Sequence, residues 1–436
     1  MGFKTRAPVR CPTRDRPPAR GVSPGVTEQT YFRKGFGLRK QLRPVIDAEF
    51  ESALVEWIRS NGNRGQFGDV SITLAKEFGF CYGVDRAVDY AYETVHNFPE
   101  KQIYLVGEII HNPYVNQRMT EMGISFIYAD ESGTFDFSVI TASDVAVMPA
   151  FGVTLHDFEA LSSIGCILVD TTCGSVLHVW KRVESYAKDG FTAVIHGKDT
   201  HEETRATASQ VNKYDGGRFI IIRDMNESGL IRDYIAERPD RMSREDFMTH
   251  FEHKASPGFD PDVDLQFIGV ANQTTMLATE SLAIGWKIHE TMVERFGDEH
   301  TATHFRSFGT ICSATQERQD AVDEMMEDPP DVMLVIGGYN SSNTNHLAHL
   351  CQQHARTFHV EDASCIDIEA GTIRHKVGLS PDSPLIVDPD WLPDGPFTLG
   401  ITAGASTPNN KIGEALLRIL TSRGIEVDLS AEAQTG

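Results

Sequence analysis

Short, continuous apolar runs punctuate the chain at IYLVGEII (103–110), DVAVMPA (144–150), CILVD (166–170), TAVIHG (192–197), FIIIRD (219–224), FIGVA (267–271), VMLVIGG (332–338) and FTLGITAG (397–404). Runs that are apolar throughout predict strands buried on both faces. Between many of them apolar positions return every three or four residues, as in VLHVWKRVESYAK (176–188), TTMLATESLAIGWKIHETMVERF (274–296) and NKIGEALLRILTSR (410–423), and this predicts helices. The alternation predicts an α/β fold with helices over parallel sheets. Arg39 to Ser60 reads as one amphipathic helix outside the core domains, and 230–264 as a polar surface insertion with one short helix around REDFMTHFEHK.

At 436 residues the chain exceeds one ordinary core, and about three domains are expected. The expected boundaries give an N-terminal extension (1–68), α/β domains at 69–173, 174–309 and 310–423, and a tail from 424 to 436. A formal charge of −22 argues against nucleic acid as a partner, since phosphate contacts need a basic face. No apolar stretch approaches membrane-spanning length, so no membrane partner is expected. Residues 1–26 are rich in Arg and Pro, which reads as a transit peptide, a disordered start or a misassigned initiation codon. A cytoplasmic protein is expected, or one of the plastid stroma if that segment is a transit peptide.

Seven cysteines, an odd number without secreted spacing, fit a reducing compartment. Cys11, Cys166, Cys351 and Cys365 read as bystanders, Cys166 and Cys351 lying in apolar or helix-like surroundings. Cys81, Cys173 and Cys312 differ: they stand in GFCYGVDRAV, DTTCGSV and TICSATQERQDA, one near the start of each successive third of the folded chain. Three soft thiolates from three lobes would suit an iron–sulfur cluster and leave a four-iron core one ligand short. Three unrelated cysteines in tight turns would read the same way. No CxxC pair, Walker A loop or GxGxxG occurs.

Polar residues gather just after the predicted strands, where open α/β sheets bind ligands. In HGKDTHEETRATAS, Thr200 is a candidate N-cap, and His201, Glu202 and Glu203 open a helix-like stretch; one glutamate could deliver a proton, or the pair could serve only the helix dipole. GEIIHNPYVNQRM sets His111 at a strand–helix junction. GGYNSSNTNHL places Ser341, Ser342 and Asn343 at a helix start, and GITAGASTP places Ser406 at another. Together these make a candidate diphosphate cradle without Lys or Arg, although capping alone explains each singly. NQTTM places Thr274 after a further strand.

These ordered motifs, spanning roughly residues 70–423, resemble the 4-hydroxy-3-methylbut-2-enyl diphosphate reductase family, which closes the methylerythritol phosphate route to isoprenoids. The insertion and the N-terminal extension resemble its plant and cyanobacterial branch. The resemblance implies three α/β domains in a pseudo-threefold trefoil around one 4Fe-4S cluster held by Cys81, Cys173 and Cys312, with the substrate hydroxyl at the unligated iron. It implies that His111, His201, Ser341, Ser342, Asn343 and Ser406 bind diphosphate, that Glu203 relays a proton with Thr274 beside it, and that ferredoxin or flavodoxin supplies electrons. It implies reductive dehydroxylation of 4-hydroxy-3-methylbut-2-enyl diphosphate to isopentenyl and dimethylallyl diphosphates. Where the short bacterial members read AHGV with a diphosphate-binding histidine, this chain has Phe151, which donates no hydrogen bond. From the residues alone, a 4Fe-4S hydro-lyase and a non-enzymatic iron–sulfur sensor are the rival functions.

Overall fold

The computed structural model describes residues 30–379 and 383–427; the Arg/Pro-rich start, Cys11 and the last nine residues lie outside them. The described residues form three sheets. The first is wholly parallel, in the order Tyr31–Phe32, Ile167–Asp170, Val145–Met148, Ile103–Val106, Ile124–Ile127. The second, also parallel, runs Phe305–Ser307, Ile268–Asn272, Thr192–His196, Arg218–Ile222. The third has a parallel centre of Thr357–Val360, Val332–Ile336, Phe397–Ala403 and Val70–Leu74, with antiparallel strands at both edges.

Side chains alternate between faces with a period of two, and both faces are packed. Val145 and Val147 join one core cluster while Ala146 and Met148 join another. In the second sheet Val194 faces one way and Ala193 and Ile195 the other. In the third, Leu334 and Ile336 oppose Met333 and Val335. Double-sided packing is why these strands read as unbroken apolar runs. The run at 103–110 is shorter as a strand, because Gly107 turns the backbone at φ +72°.

The lobes exchange chain at the three cysteines. Val70–Leu74 belongs to the third sheet, yet the helix after Cys81, Tyr82–Asn97, buries Val84, Ala87, Val88 and Ala91 in the first lobe. Ile167–Asp170 lies in the first sheet, and the helix after Cys173, Gly174–Lys188, packs Val179 and Val183 into the second. Phe305–Ser307 lies in the second sheet, and the helix after Cys312, Ser313–Met325, packs Val322 against Met333 in the third. The expected boundary at residue 69 therefore does not coincide with a change of lobe; the crossing falls at Cys81. Burial of Val70, Ile72 and Leu74 against Leu399 and Ile401 fixes that strand in the third sheet.

Two other expectations are corrected. Arg39 to Ser60 forms two helices, Arg39–Phe50 and Ala53–Ser60, with Ser52 capping the second. Far from lying outside, they bury Ile46 and Phe50 in the first lobe and Leu54, Val55 and Ile58 in the third. The segment 230–264 contains the helices Arg244–His250 and Pro261–Asp264, and its Phe247, Phe251 and Phe259 are core residues of the second lobe. Its polar composition conceals these anchors, to which Ile231, Tyr234 and Ile235 at the end of the helix Met225–Ile235 add.

Candidate active site where the lobes meet

A cavity opens where the strand ends of all three sheets converge. Lining it are Cys81, Cys173, Cys312, His111, His201, Glu203 and Thr274, with Ser341, Ser342, Asn343, Ser406 and Phe151. Sequence-distant residues thus share one chamber.

Each cysteine is the residue before the first turn of a helix: Cys81 before Tyr82–Asn97, Cys173 before Gly174–Lys188, Cys312 before Ser313–Met325. Three helix N-termini, with their unpaired N–H groups and positive dipole ends, therefore face the sulfurs. Burial pushes the Cys81 and Cys173 thiols up from the ordinary range, and the neighbouring sulfurs add to this. Ser175 donates to the Cys312 sulfur at 3.3 Å. Gly83 leaves room for Cys173; a Cβ there would stand 2.5 Å from its sulfur. Cys166, Cys351 and Cys365 are buried away from the chamber.

The histidines form a directed chain. His201, not Thr200, caps the helix Glu202–Ser209, its Nδ1 accepting from the Glu203 N–H at 3.1 Å. That assigns the ring proton to Nε2, which faces His111 Nε2 at 3.2 Å; His111 Nδ1 then donates to Glu108 at 2.9 Å. Burial, with His111 and Lys198 nearby, holds His201 well below the usual histidine range, so it is a neutral donor at neutral pH. Phe151 stacks on His111 at 4.3 Å between centroids and meets His201 edge-on at 5.5 Å. It donates nothing but fixes both rings, a role invisible in the sequence. Glu108 was likewise missed, although it stands three residues before His111 in GEIIHN.

Glu203 is 1% exposed, whereas Glu202 is at the surface. Burial raises Glu203 to about 7 despite a 2.6 Å bond from the Thr274 N–H. The Thr274 carbonyl in turn accepts from the Cys312 N–H at 3.3 Å. One residue thus ties the carboxyl to the third cysteine.

Across the chamber Ser341 caps the helix Ser342–Gln352. Ser342 donates to the Thr275 carbonyl at 3.4 Å, and Ser406 donates to the His111 carbonyl at 3.1 Å, joining lobes. The Asn343 side-chain carbonyl accepts from Ala405 N–H, but its Nδ2 is buried without a partner. A buried donor left unpaired is costly unless a ligand accepts from it.

The family model described as "LytB protein" matches residues 72–420. The chain belongs to the LytB family. Relatives named 4-hydroxy-3-methylbut-2-enyl diphosphate reductase include that of Thermosynechococcus vestitus, 44% identical over 92% of this chain and 96% of that protein. Another, from Gloeobacter violaceus, is 44% identical over 91% of this chain and 94% of its own length. A solved reductase from Plasmodium falciparum shares the fold at a TM-score of 0.57 and 20% identity, over 80% of this chain and 87% of that one. LytB proteins carry an iron–sulfur cluster. The residues here fit such a group: three free thiols converge from different lobes at helix N-termini. Among the described residues, the set of ligand atoms lying within 4.8 Å of one another is His111, His201 and Glu202. The three sulfurs do not form such a set. No helix of the described residues is long and apolar enough to cross a membrane.

Proposed function

We propose that this chain reduces 4-hydroxy-3-methylbut-2-enyl diphosphate to isopentenyl and dimethylallyl diphosphates, holding one 4Fe-4S cluster on Cys81, Cys173 and Cys312. The observation that carries the reading is a buried carboxyl, Glu203, sharing a chamber with three free thiols and an anion cradle. When bound, the cluster supplies single electrons and, at the iron without a protein ligand, a Lewis acid for the hydroxyl.

The chain's own residues do the rest. The diphosphate is received by Ser341, Ser342 and Asn343 at the N-terminus of Ser342–Gln352 and by Ser406 ahead of the helix Asn409–Ser422, with His111 and His201 beside it and the His201 Nε2–H, once turned from His111, as a further donor. Anchoring that end positions the hydroxyl end toward the sulfurs. Glu203, steadied by Thr274, gives a proton to the departing oxygen. The balance is two electrons and two protons in, one C–O bond broken, one C–H bond formed and one water out. A small reduced electron carrier, ferredoxin or flavodoxin, supplies the electrons. The reaction proceeds in the cytoplasm, or in the plastid stroma if the N-terminal segment directs import.

Anaerobic incubation of the purified protein with this diphosphate and a reduced donor tests the reading. Both isopentenyl products should form, and only with the donor present. Turnover without reductant would instead identify a hydro-lyase, and no turnover with an intact cluster would favour a sensor. A second expectation concerns packing: Gly83→Ala keeps the helix, since alanine is the better helix former, but its methyl group would displace the Cys173 sulfur. Iron content should fall severalfold with the far-UV circular dichroism unchanged; full loading would show that the sulfur has room to shift.

A further inference from the structure

Arg318 is a buried cation that no step above uses. It lies in the second turn of Ser313–Met325, on the helix face that carries Ala314 and Thr315 into the chamber. It is 3% exposed. One arm of its guanidinium donates to the Ala314 carbonyl and the other to the Gly79 carbonyl, each at 2.7 Å, while Nε has no partner. Gly79 sits at φ +76°, two residues before Cys81, so this fork binds the Cys81 loop to the helix that follows Cys312. Among the described residues Arg318 forms no ion pair with a carboxylate.

A buried charge is expensive unless an opposite charge answers it. The groups nearest in kind are the cysteines: the charge of Arg318 acts on the Cys81 sulfur. An iron–sulfur core on three thiolates is anionic, and becomes more so when it accepts an electron. A fixed positive charge beside it therefore favours the reduced state, and net charge is among the factors that set cluster potentials. Hydrogen bonds alone would not need a guanidinium, because a neutral side-chain amide can also donate to a carbonyl.

We propose that Arg318 is a positioning residue that raises the reduction potential of the cluster, its uncompensated charge favouring the electron-loaded state while its fork joins the Cys81 and Cys312 loops. This rests on the cluster proposed above and adds a role for a residue outside the chamber. Arg318→Gln keeps a donor and removes the charge; Arg318→Lys keeps the charge and gives up the fork.

Anaerobic redox titration of the loaded protein, followed by electron paramagnetic resonance, separates the two contributions. The glutamine variant should require about tenfold stronger reducing conditions for half-reduction, which for one electron is about 59 mV. The lysine variant should stay within about twofold of the parent. An unchanged potential in Arg318→Gln, or an equal fall in both variants, would overturn the proposal. If the glutamine variant does not load, the lysine variant decides: a parent-like potential supports the charge, and a tenfold fall refutes it. Absence of iron from the parent protein would be a different failure, that of the cluster itself.

Discussion

Cys173→Ser is expected to lose turnover and visible absorbance together while the protein stays folded. The Cys173 N–H donates to the Ala150 carbonyl at 2.9 Å, and its own carbonyl accepts from Leu177 N–H at 3.0 Å, so the backbone holds the loop without the sulfur. Serine is nearly isosteric, but its hydroxyl is a harder ligand that ionises far less readily than a thiol. Gly83 packs against this position and brings no side chain of its own. Iron analysis, absorbance and anaerobic turnover measure the three consequences separately. A serine variant with full iron and parent activity would remove Cys173 from the ligand set.

Glu203→Gln should lower kcat by about 10² or more, the scale of a lost general acid, with KM little changed. The amide can still accept from the Thr274 N–H, so the variant keeps the local geometry and loses only the proton. The parent's kcat should fall as pH rises through about 7, where the buried carboxyl ionises, and the residual activity of the variant should lack that step. Stability follows the same group. Its native pKa is raised above that of the unfolded chain, so its contribution is complete below about 4.5 and is lost as pH rises through about 7. That loss is about 3 kcal/mol at order of magnitude. Glutamine carries no such loss, so the variant should melt at a higher temperature than the parent at pH 8. Near-parent turnover with an unaltered pH profile would take Glu203 out of the chemistry.

Much of this architecture is written in the chain's periodicity. Strands such as Val332–Ile336 and Thr192–His196 are buried at every position and apolar through their centres because they are covered on both sides, and this one property placed the chamber residues at strand ends. What periodicity could not convey is which lobe a strand joins. Val70–Leu74 looks the same whether it pairs within the next hundred residues or with Phe397–Ala403, and only the register decides. The helical pattern from Arg39 to Ser60 hid its break for a similar reason, since both halves are amphipathic and only their partners differ.

Within the chamber, chemistry carried by residue type was legible: thiols in small-residue loops, hydroxyls at helix starts, a glutamate after a histidine. Roles that depend on a neighbour were not. Phe151 looks like a lost donor until its ring is found lying on His111, and Thr200 looks like the cap until His201 is seen accepting from Glu203. Arg318 is an ordinary helical arginine in sequence, and becomes unusual only through burial without an acid.

The pairing of Val70–Leu74 with Phe397–Ala403 also bears on biogenesis. During synthesis the segment leading to the earliest of the three thiols waits, open along one edge, until nearly the entire polypeptide has left the ribosome. A nascent chain stalled before Phe397–Ala403 would leave the strand that leads to Cys81 without its partner on that side.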